Sequence, residues 1–338
     1  MVYQLDSFII VLIFSSLKKL LQYLNKFYTD HFNWKEFVIA LIFIVGFCFI
    51  KYFKFIPHHN GNISLLTSWW FKAYYNNLKF LFHVILYLSP LLIGYFVSSI
   101  IHKNWSFWKN PKFITLVIFG VLLFSFRSSI SFFVSDYLAQ HSNYAHVDWL
   151  NRIIGTIARG LFVFLILFIY WTFTDKKNQP FYGFTSKDFD FKPYLVMLAC
   201  MVPLIAAAST QVDFLTSYPR VQRLQSIDIT IPGHLKFYAI YEILYGLDFF
   251  TIEFFFRGFM ILAFVGIVGP KAIIAVAYMY VVIHWNKPMG ELISSFFGGT
   301  LLGIISYYSK SIWGGIIVHV GIAWMMEIGA FISKYFFS

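Results

Sequence analysis

The stretch IEFFFRGF, Ile252 to Phe259, holds one glutamate and one arginine inside an apolar run that extends from Phe237 to Val268. A run of that length crosses a hydrocarbon core as a helix, and inside hydrocarbon an unpaired charge is strongly disfavoured. On a helix Glu253 and Arg257 stand four residues apart on one face, with the acid ahead of the cation, the favourable order for an ion pair. A structural pair by itself accounts for both residues, so chemistry requires further groups around them. Gly258, beside the arginine, lets another stretch of backbone come close.

The rest of the chain has the same character. Of its 338 residues 59% are hydrophobic and 12% charged, against about 45–50% and about 25% in soluble domains, which makes it a membrane protein. Apolar runs occupy Glu36–Ile56, Phe80–Ile101, Phe113–Val134, Ile154–Phe173, Pro193–Val212, Phe237–Val268, Lys271–His284, Met289–Tyr308 and Ile312–Phe337. The expected fold class is an all-α, polytopic integral membrane helical bundle with about eight or nine transmembrane helices. The piece from Phe8 to Phe27 carries Lys18, Lys19 and Lys26 on one side of an apolar run and reads as an interfacial helix. Polar residues rather than a small-residue cleavage site follow it, so no cleavable signal is expected. The organisation is thus an interfacial helix over 1–35, amino-terminal transmembrane helices over 36–212 and a carboxy-terminal transmembrane core over 237–337.

A net charge of +11, from 26 basic and 15 acidic residues, does not point to nucleic acid. Lys51, Lys54, Lys72, Lys79, Lys103, Lys109 and Lys112 flank the spans, where they snorkel toward anionic headgroups of the lipid bilayer. Basic residues lie near both ends of the first span, so orientation stays open. Cys48 and Cys200 lie in apolar runs without metal-type spacing, and neither a structural disulfide nor a nucleophile is expected of them. Two polar, proline-containing connections, Thr174–Pro193 and Asp213–His234, read as ordered surface loops or lids. Arg127 and Arg159 sit inside earlier apolar runs, paired with each other, paired with a carboxylate such as Asp136, or reaching the interface.

The ionisable residues set deepest in apolar sequence cluster after Phe237. His284 closes the run AVAYMYVVIH, and His319 stands in GGIIVHVGIAWMMEI. Each alone reads as a hydrogen-bonded packing residue. Two histidines, a glutamate and an arginine on three neighbouring spans relieve one another's burial only by converging. A carboxylate and two imidazoles are also what water activation needs, as a base and as donors or metal ligands.

EFFFRG followed by YVVIH and HVGIA resembles the motif series of the CAAX-protease and bacteriocin-processing (CPBP) intramembrane endopeptidases: E-E-x-x-x-R, then an aromatic-x-x-x-His, then His-x-x-x-Asn. The resemblance covers about Phe237 to Phe331. It puts the second glutamate at Glu253, the arginine at Arg257, the aromatic at Tyr280 and the histidines at His284 and His319. It implies a CPBP-like core, a bacterial cytoplasmic (inner) membrane, and hydrolysis of a peptide bond in a membrane-embedded or lipidated protein or peptide. Glu253 becomes base or metal ligand, His284 and His319 bind water, metal or oxyanion, and Arg257 orients Glu253. One carboxylate and two imidazoles, Glu253, His284 and His319, match the pattern of catalytic zinc, with metal dependence left open by the family.

Two positions depart from the pattern. Ile252 stands where the family has its first glutamate, usually credited as the water-activating base, and Ala323 stands where it has the asparagine. Asp248, four residues before Ile252, projects from the same face and is the candidate replacement base; Glu242 lies a further six residues back. Glu327 shares a face with His319 and Ala323, or pairs with a lysine such as Lys334. Glu291, after Pro288, complements a helix amino terminus. Ser295, Gly299 and Gly303, and Gly314–Gly315, read as close-packing positions. A catalytically inactive CPBP-like scaffold or chaperone for a membrane partner is the alternative, supported by Ile252 and Ala323. A transporter, with the same cluster as a relay, is third and lacks an evident inverted repeat.

Overall fold

The computed structural model describes residues 17–58, 61–75, 77–141, 146–187, 189–224, 226–227 and 231–336. Residues 8–16 of the expected interfacial helix, part of the 213–234 connection and Phe337 lie outside them. In chain order the elements are α1 Leu17–Asp30, α2 Trp34–Tyr52, a small antiparallel pair of β1 Lys54–Ile56 and β2 Ile63–Ser64, α3 Leu65–Tyr75, α4 Lys79–Ile101, α5 Pro111–His141, α6 Val147–Tyr170, α7 Lys192–Ala208 and α8 Val212–Ser217. The carboxy-terminal core follows as α9 Leu235–Glu253, a π-helical stretch Phe254–Ala263, α10 Val265–Val268, α11 Lys271–Val282, α12 Met289–Ser309 and α13 Trp313–Phe336.

The polytopic helical bundle is present, with large apolar side chains on its outside as well as its inside. Along α5, Ile114, Ile118, Leu122 and Phe126 recur every four residues and are exposed, while Phe113, Leu116, Val117, Val121 and Phe124 are buried. A helix apolar on both faces belongs in lipid. Among the described residues six helices are long and apolar enough to cross, or up to seven if one bent pair is a single span. The expected eight or nine comes down for local reasons. Lys192–Ala208 has 17 residues and Lys271–Val282 has 12, both short for a crossing. Helix α2 carries Lys35, Glu36 and Lys51 in 19 residues and meets α1 at 103°. On α1, Leu20 and Phe27 are buried and Lys18, Lys19 and Lys26 exposed, the two-sided pattern read from the sequence.

The element that positions the site is the continuous helix Pro232–Val268, 37 residues long. At about 1.5 Å per residue it overreaches a hydrocarbon core of about 30 Å, so its first turns extend beyond it. From Glu253 to Phe264 every residue is buried, as expected of a helix that is hydrophobic all round. Helices α5, α11 and α12 pack on the π-helical stretch, and α6 and α13 on α9. The phenylalanines interlock with their neighbours: Phe124 stacks on Phe255 at 4.7 Å, Phe181 meets Phe254 at 5.1 Å and Phe256 meets Tyr280 at 5.0 Å.

The connection 174–193 is an ordered cover and not a detached lid. Its fully buried Tyr182 donates to Asp175 at 2.9 Å, and Asp175 also receives Lys112 at 2.8 Å. The Tyr182 carbonyl lies 2.6 Å from where a Cβ on Gly258 would stand, so the glycine beside Arg257 is required by the close backbone approach expected of it. Gly258→Ala should therefore destabilise the protein by about 1–3 kcal/mol. Gly46→Ala, with nothing within 4 Å of the added methyl, should be neutral or stabilising by up to about 1 kcal/mol. Thermal unfolding of the two variants in the same detergent checks the contrast.

Candidate active site

Glu253 ends the α-helical part of α9, and the π-helical turn that starts at Phe254 carries Arg257. π-Helical turns occur frequently at functional sites. Glu253 Oε2 lies 3.3 Å from Arg257 Nε, with both side chains essentially inaccessible. The other oxygen, Oε1, lies 2.8 Å from His319 Nδ1 on α13. A carboxylate only accepts, so His319 Nδ1–H donates and Nε2 carries the lone pair. Helix α13 comes this close because of Gly315, where any Cβ would collide with the Glu253 carboxylate.

Tyr280 on α11 closes the other side. The Arg257 guanidinium lies over its ring at 4.3 Å, and its hydroxyl is 3.3 Å from His319 Nε2. One turn later His284 Nδ1 lies 2.7 Å from the Tyr280 carbonyl oxygen. The carbonyl can only accept, which fixes the tautomer and leaves the His284 Nε2 lone pair free of that bond. His284, His319 and Tyr280 line one cavity of about 360 Å³, together with Asp248, Phe249 and Ile252.

The structure therefore joins Glu253, Arg257 and His319 directly and brings His284 to the same cavity. Glu253 itself is not among the lining residues and reaches the cavity through His319. Asp248 does line the cavity, one turn before Ile252, on the face expected of it. Its oxygens are already engaged: Arg127 Nη2 donates at 2.6 Å and Arg159 Nη2 at 3.3 Å. That contact also identifies the partner of the two intramembrane arginines, which is Asp248 in place of Asp136 or each other.

Glu291 and Glu327 are engaged away from His319. Glu291 pairs with Lys287 at 2.8 Å and accepts from the Tyr218 hydroxyl at 2.7 Å, to which Lys287 also donates. Burial lowers the Lys287 pKa below the ordinary lysine value, and Glu291 opposes that shift. Glu327 accepts from the Arg220 backbone N–H at 2.7 Å, whereas among the described residues the buried Oε1 of Glu242 has no hydrogen-bond partner. Ala323 is fully buried and offers no polar atom where the family places an amide.

Among the described residues no three His, Cys, Asp or Glu side chains gather closely enough to hold a metal ion. Glu253 is already committed to His319 and Arg257, so Glu253, His284 and His319 do not fit a three-ligand zinc centre. The sequence reading missed Lys287, Arg152, Arg220 and Arg223, all of which line the cavity. Lys287 had a signal in its four-residue spacing to Glu291; the three arginines come together only through the 213–234 connection.

Residues 236–325 match the family model described as type II CAAX prenyl endopeptidase Rce1-like. The matched segment begins at the second residue of α9, runs into α13 and contains all three motifs. No curated protein matches the chain, and no solved structure matches it.

Two substitutions test the geometry. Asp248→Asn strands Arg127 and Arg159 in a buried setting and should cost on the order of 3 kcal/mol, part of which Arg127→Gln in the same chain restores. Gly315→Ala should push Glu253 off His319, seen as a changed His319 imidazole signal in nitrogen NMR of labelled protein.

Proposed function

From this Rce1-like segment, residues 236–325, within a multi-pass membrane protein, we propose an intramembrane endopeptidase whose base is His319. It acts on a membrane-embedded or lipidated protein or peptide, in a bacterial cytoplasmic membrane. The observation that carries the proposal is the 2.8 Å contact between Glu253 Oε1 and His319 Nδ1, with the imidazole itself on the cavity that His284 and Tyr280 also line.

Water in that cavity gives one proton to His319 Nε2 as its oxygen attacks the scissile carbonyl. Glu253 holds the tautomer and stabilises the imidazolium, the logic of a carboxylate–histidine pair. The His284 Nε2 lone pair accepts from the same water and fixes its direction, and the Tyr280 hydroxyl is placed to donate to the developing oxyanion. When the carbon–nitrogen bond breaks, the imidazolium returns the proton to the leaving amine, and the products are a carboxylate and an amine. Arg257 acts by positioning Glu253. The role that Ile252 cannot fill thereby passes to an imidazole.

A binding-only reading has its own observation. The cavity wall is isoleucine at the position of the family base, and Ala323 replaces the amide. The two readings separate in liposomes carrying the purified protein and a panel of lipidated fluorogenic peptides. The peptidase reading expects a new amino terminus from wild type, with turnover down on the order of 10²-fold or more in Glu253→Gln and in His319→Ala. Glu253→Gln with Arg257→Gln removes both charges, so loss of turnover in that folded double variant does not arise from a stranded arginine. No cleavage of any peptide by wild type, with a membrane partner still co-purifying with the double variant, would instead establish the scaffold.

A further inference from the structure

The cavity has a second wall that peptide hydrolysis does not use. Six cations line it, Arg127, Arg152, Arg159, Arg220, Arg223 and Lys287, and Asp248 is the one carboxylate among its lining residues. Asp248 serves Arg127 and Arg159, and Glu291 serves Lys287. Among the described residues Arg152, Arg220 and Arg223 have no carboxylate within ion-pair distance. Half-buried Arg220 rests on the Tyr218 ring at 5.1 Å, and it is its backbone, not its guanidinium, that Glu327 accepts from. Arg152 and Arg223 are exposed and Arg220 half-buried, and all three line the same cavity. Arg127, on the same cavity, is buried, and among the described residues its Nε has no hydrogen-bond partner.

The cluster sits at one end of the bundle. Arg152 is near the start of α6, and Arg220 and Arg223 bound a single 3-10 turn, Arg220–Arg223. Trp149 lies close by and donates its indole N–H to the Phe237 carbonyl at 2.9 Å, the kind of aromatic that marks a membrane–water interface. Three guanidiniums on one cavity with no ion-pair partner among the described residues suit an anion with three acceptor oxygens, because each planar fork matches phosphate geometry. A carboxylate offers two oxygens and one charge; a phosphomonoester offers three oxygens and close to two charges. The same cavity is also lined by the apolar side chains of Leu244, Phe249 and Ile252.

We infer that this cavity binds the phosphate group of a membrane amphiphile, held by Arg152, Arg220 and Arg223, with the adjoining hydrocarbon against Leu244, Phe249 and Ile252. The inference stands whether or not His319 hydrolyses a peptide.

The test uses the full chain in a neutral detergent, titrated with dioctanoyl phosphatidic acid, with dioctanoylglycerol and with inorganic phosphate, and read by intrinsic tryptophan fluorescence. Saturable binding of the phosphatidic acid is expected, with dioctanoylglycerol and inorganic phosphate each at least about 10-fold weaker. Each of Arg152→Gln, Arg220→Gln and Arg223→Gln should weaken it about 10-fold or more, the scale of one lost charge-assisted hydrogen bond. Arg152 and Arg223 are exposed, so their variants keep the test valid if Arg220→Gln fails to fold. A Lys18→Gln, Lys19→Gln, Lys26→Gln variant should bind as wild type does. The inference is overturned if dioctanoylglycerol binds equally well, if the arginine variants bind normally, or if the lysine variant loses binding to the same extent. Equal affinity for inorganic phosphate overturns the lipid source and leaves a soluble phosphate as the ligand.

Discussion

The structure depends on keeping one carboxylate ionised where water does not reach. Glu253 is fully buried in the middle of a 37-residue helix, and an isolated carboxylate there would be far too costly to keep its charge. Arg257 from its own helix and His319 from α13 share the burden, one facing each oxygen. That arrangement sets several other choices. Helix α13 must approach closely enough for the imidazole to reach, which forces glycine at 315, and the guanidinium must be covered, which Tyr280 does with its ring face. The packing of α9, α11 and α13 around this point is thus the packing that an internal salt bridge demands, with phenylalanine filling the remaining space.

The same helix repeats the device a turn and a half earlier. Asp248 projects toward α5 and α6, and each of those helices supplies an arginine. The two tiers differ in a way that bears on chemistry. At Glu253 one partner is an imidazole, which can exchange a proton; at Asp248 both partners are guanidiniums, which keep theirs. A carboxylate clamped by two fixed cations is a weak proton acceptor, because ionisation is what the cations stabilise. Of the two, only the Glu253 pair has a partner able to exchange a proton, and the Asp248 ion pairs tie α5 and α6 to α9.

Membrane class, the central helix and the pairing of Glu253 with Arg257 were legible in the sequence, because burial of charge in apolar sequence leaves few alternatives. The face shared by Asp248 and Ile252 was legible from helical spacing. The number of spans was not, because hydropathy responds to apolar runs such as Lys271–Val282 that end too soon to cross. The direct Glu253–His319 bond was also beyond reach, since spacing along one helix says nothing about which helix faces which. Nor could Arg127 and Arg159 be assigned to Asp248 across more than eighty residues of chain. The arginine-lined wall depends on a connection whose fold follows from tertiary contacts, such as the bond from the Arg220 backbone to Glu327, and not from local propensity.

The isoleucine at 252 fits this electrostatic scheme. A third carboxylate there would stand between Asp248 and Glu253, next in sequence to one and a turn from the other, in surroundings where like charges repel strongly. Asp248 already draws on both arginines from α5 and α6, and Glu253 on the one arginine of its own helix, so a further acid would have to draw on the other cations of the cavity wall. Placing isoleucine at 252 removes that repulsion and leaves Glu253 ionised against His319. The carboxylate's influence then reaches the cavity only through the imidazole. Ile252 is in this way linked to the bond between Glu253 and His319, and the balance of charge along α9 is what connects them.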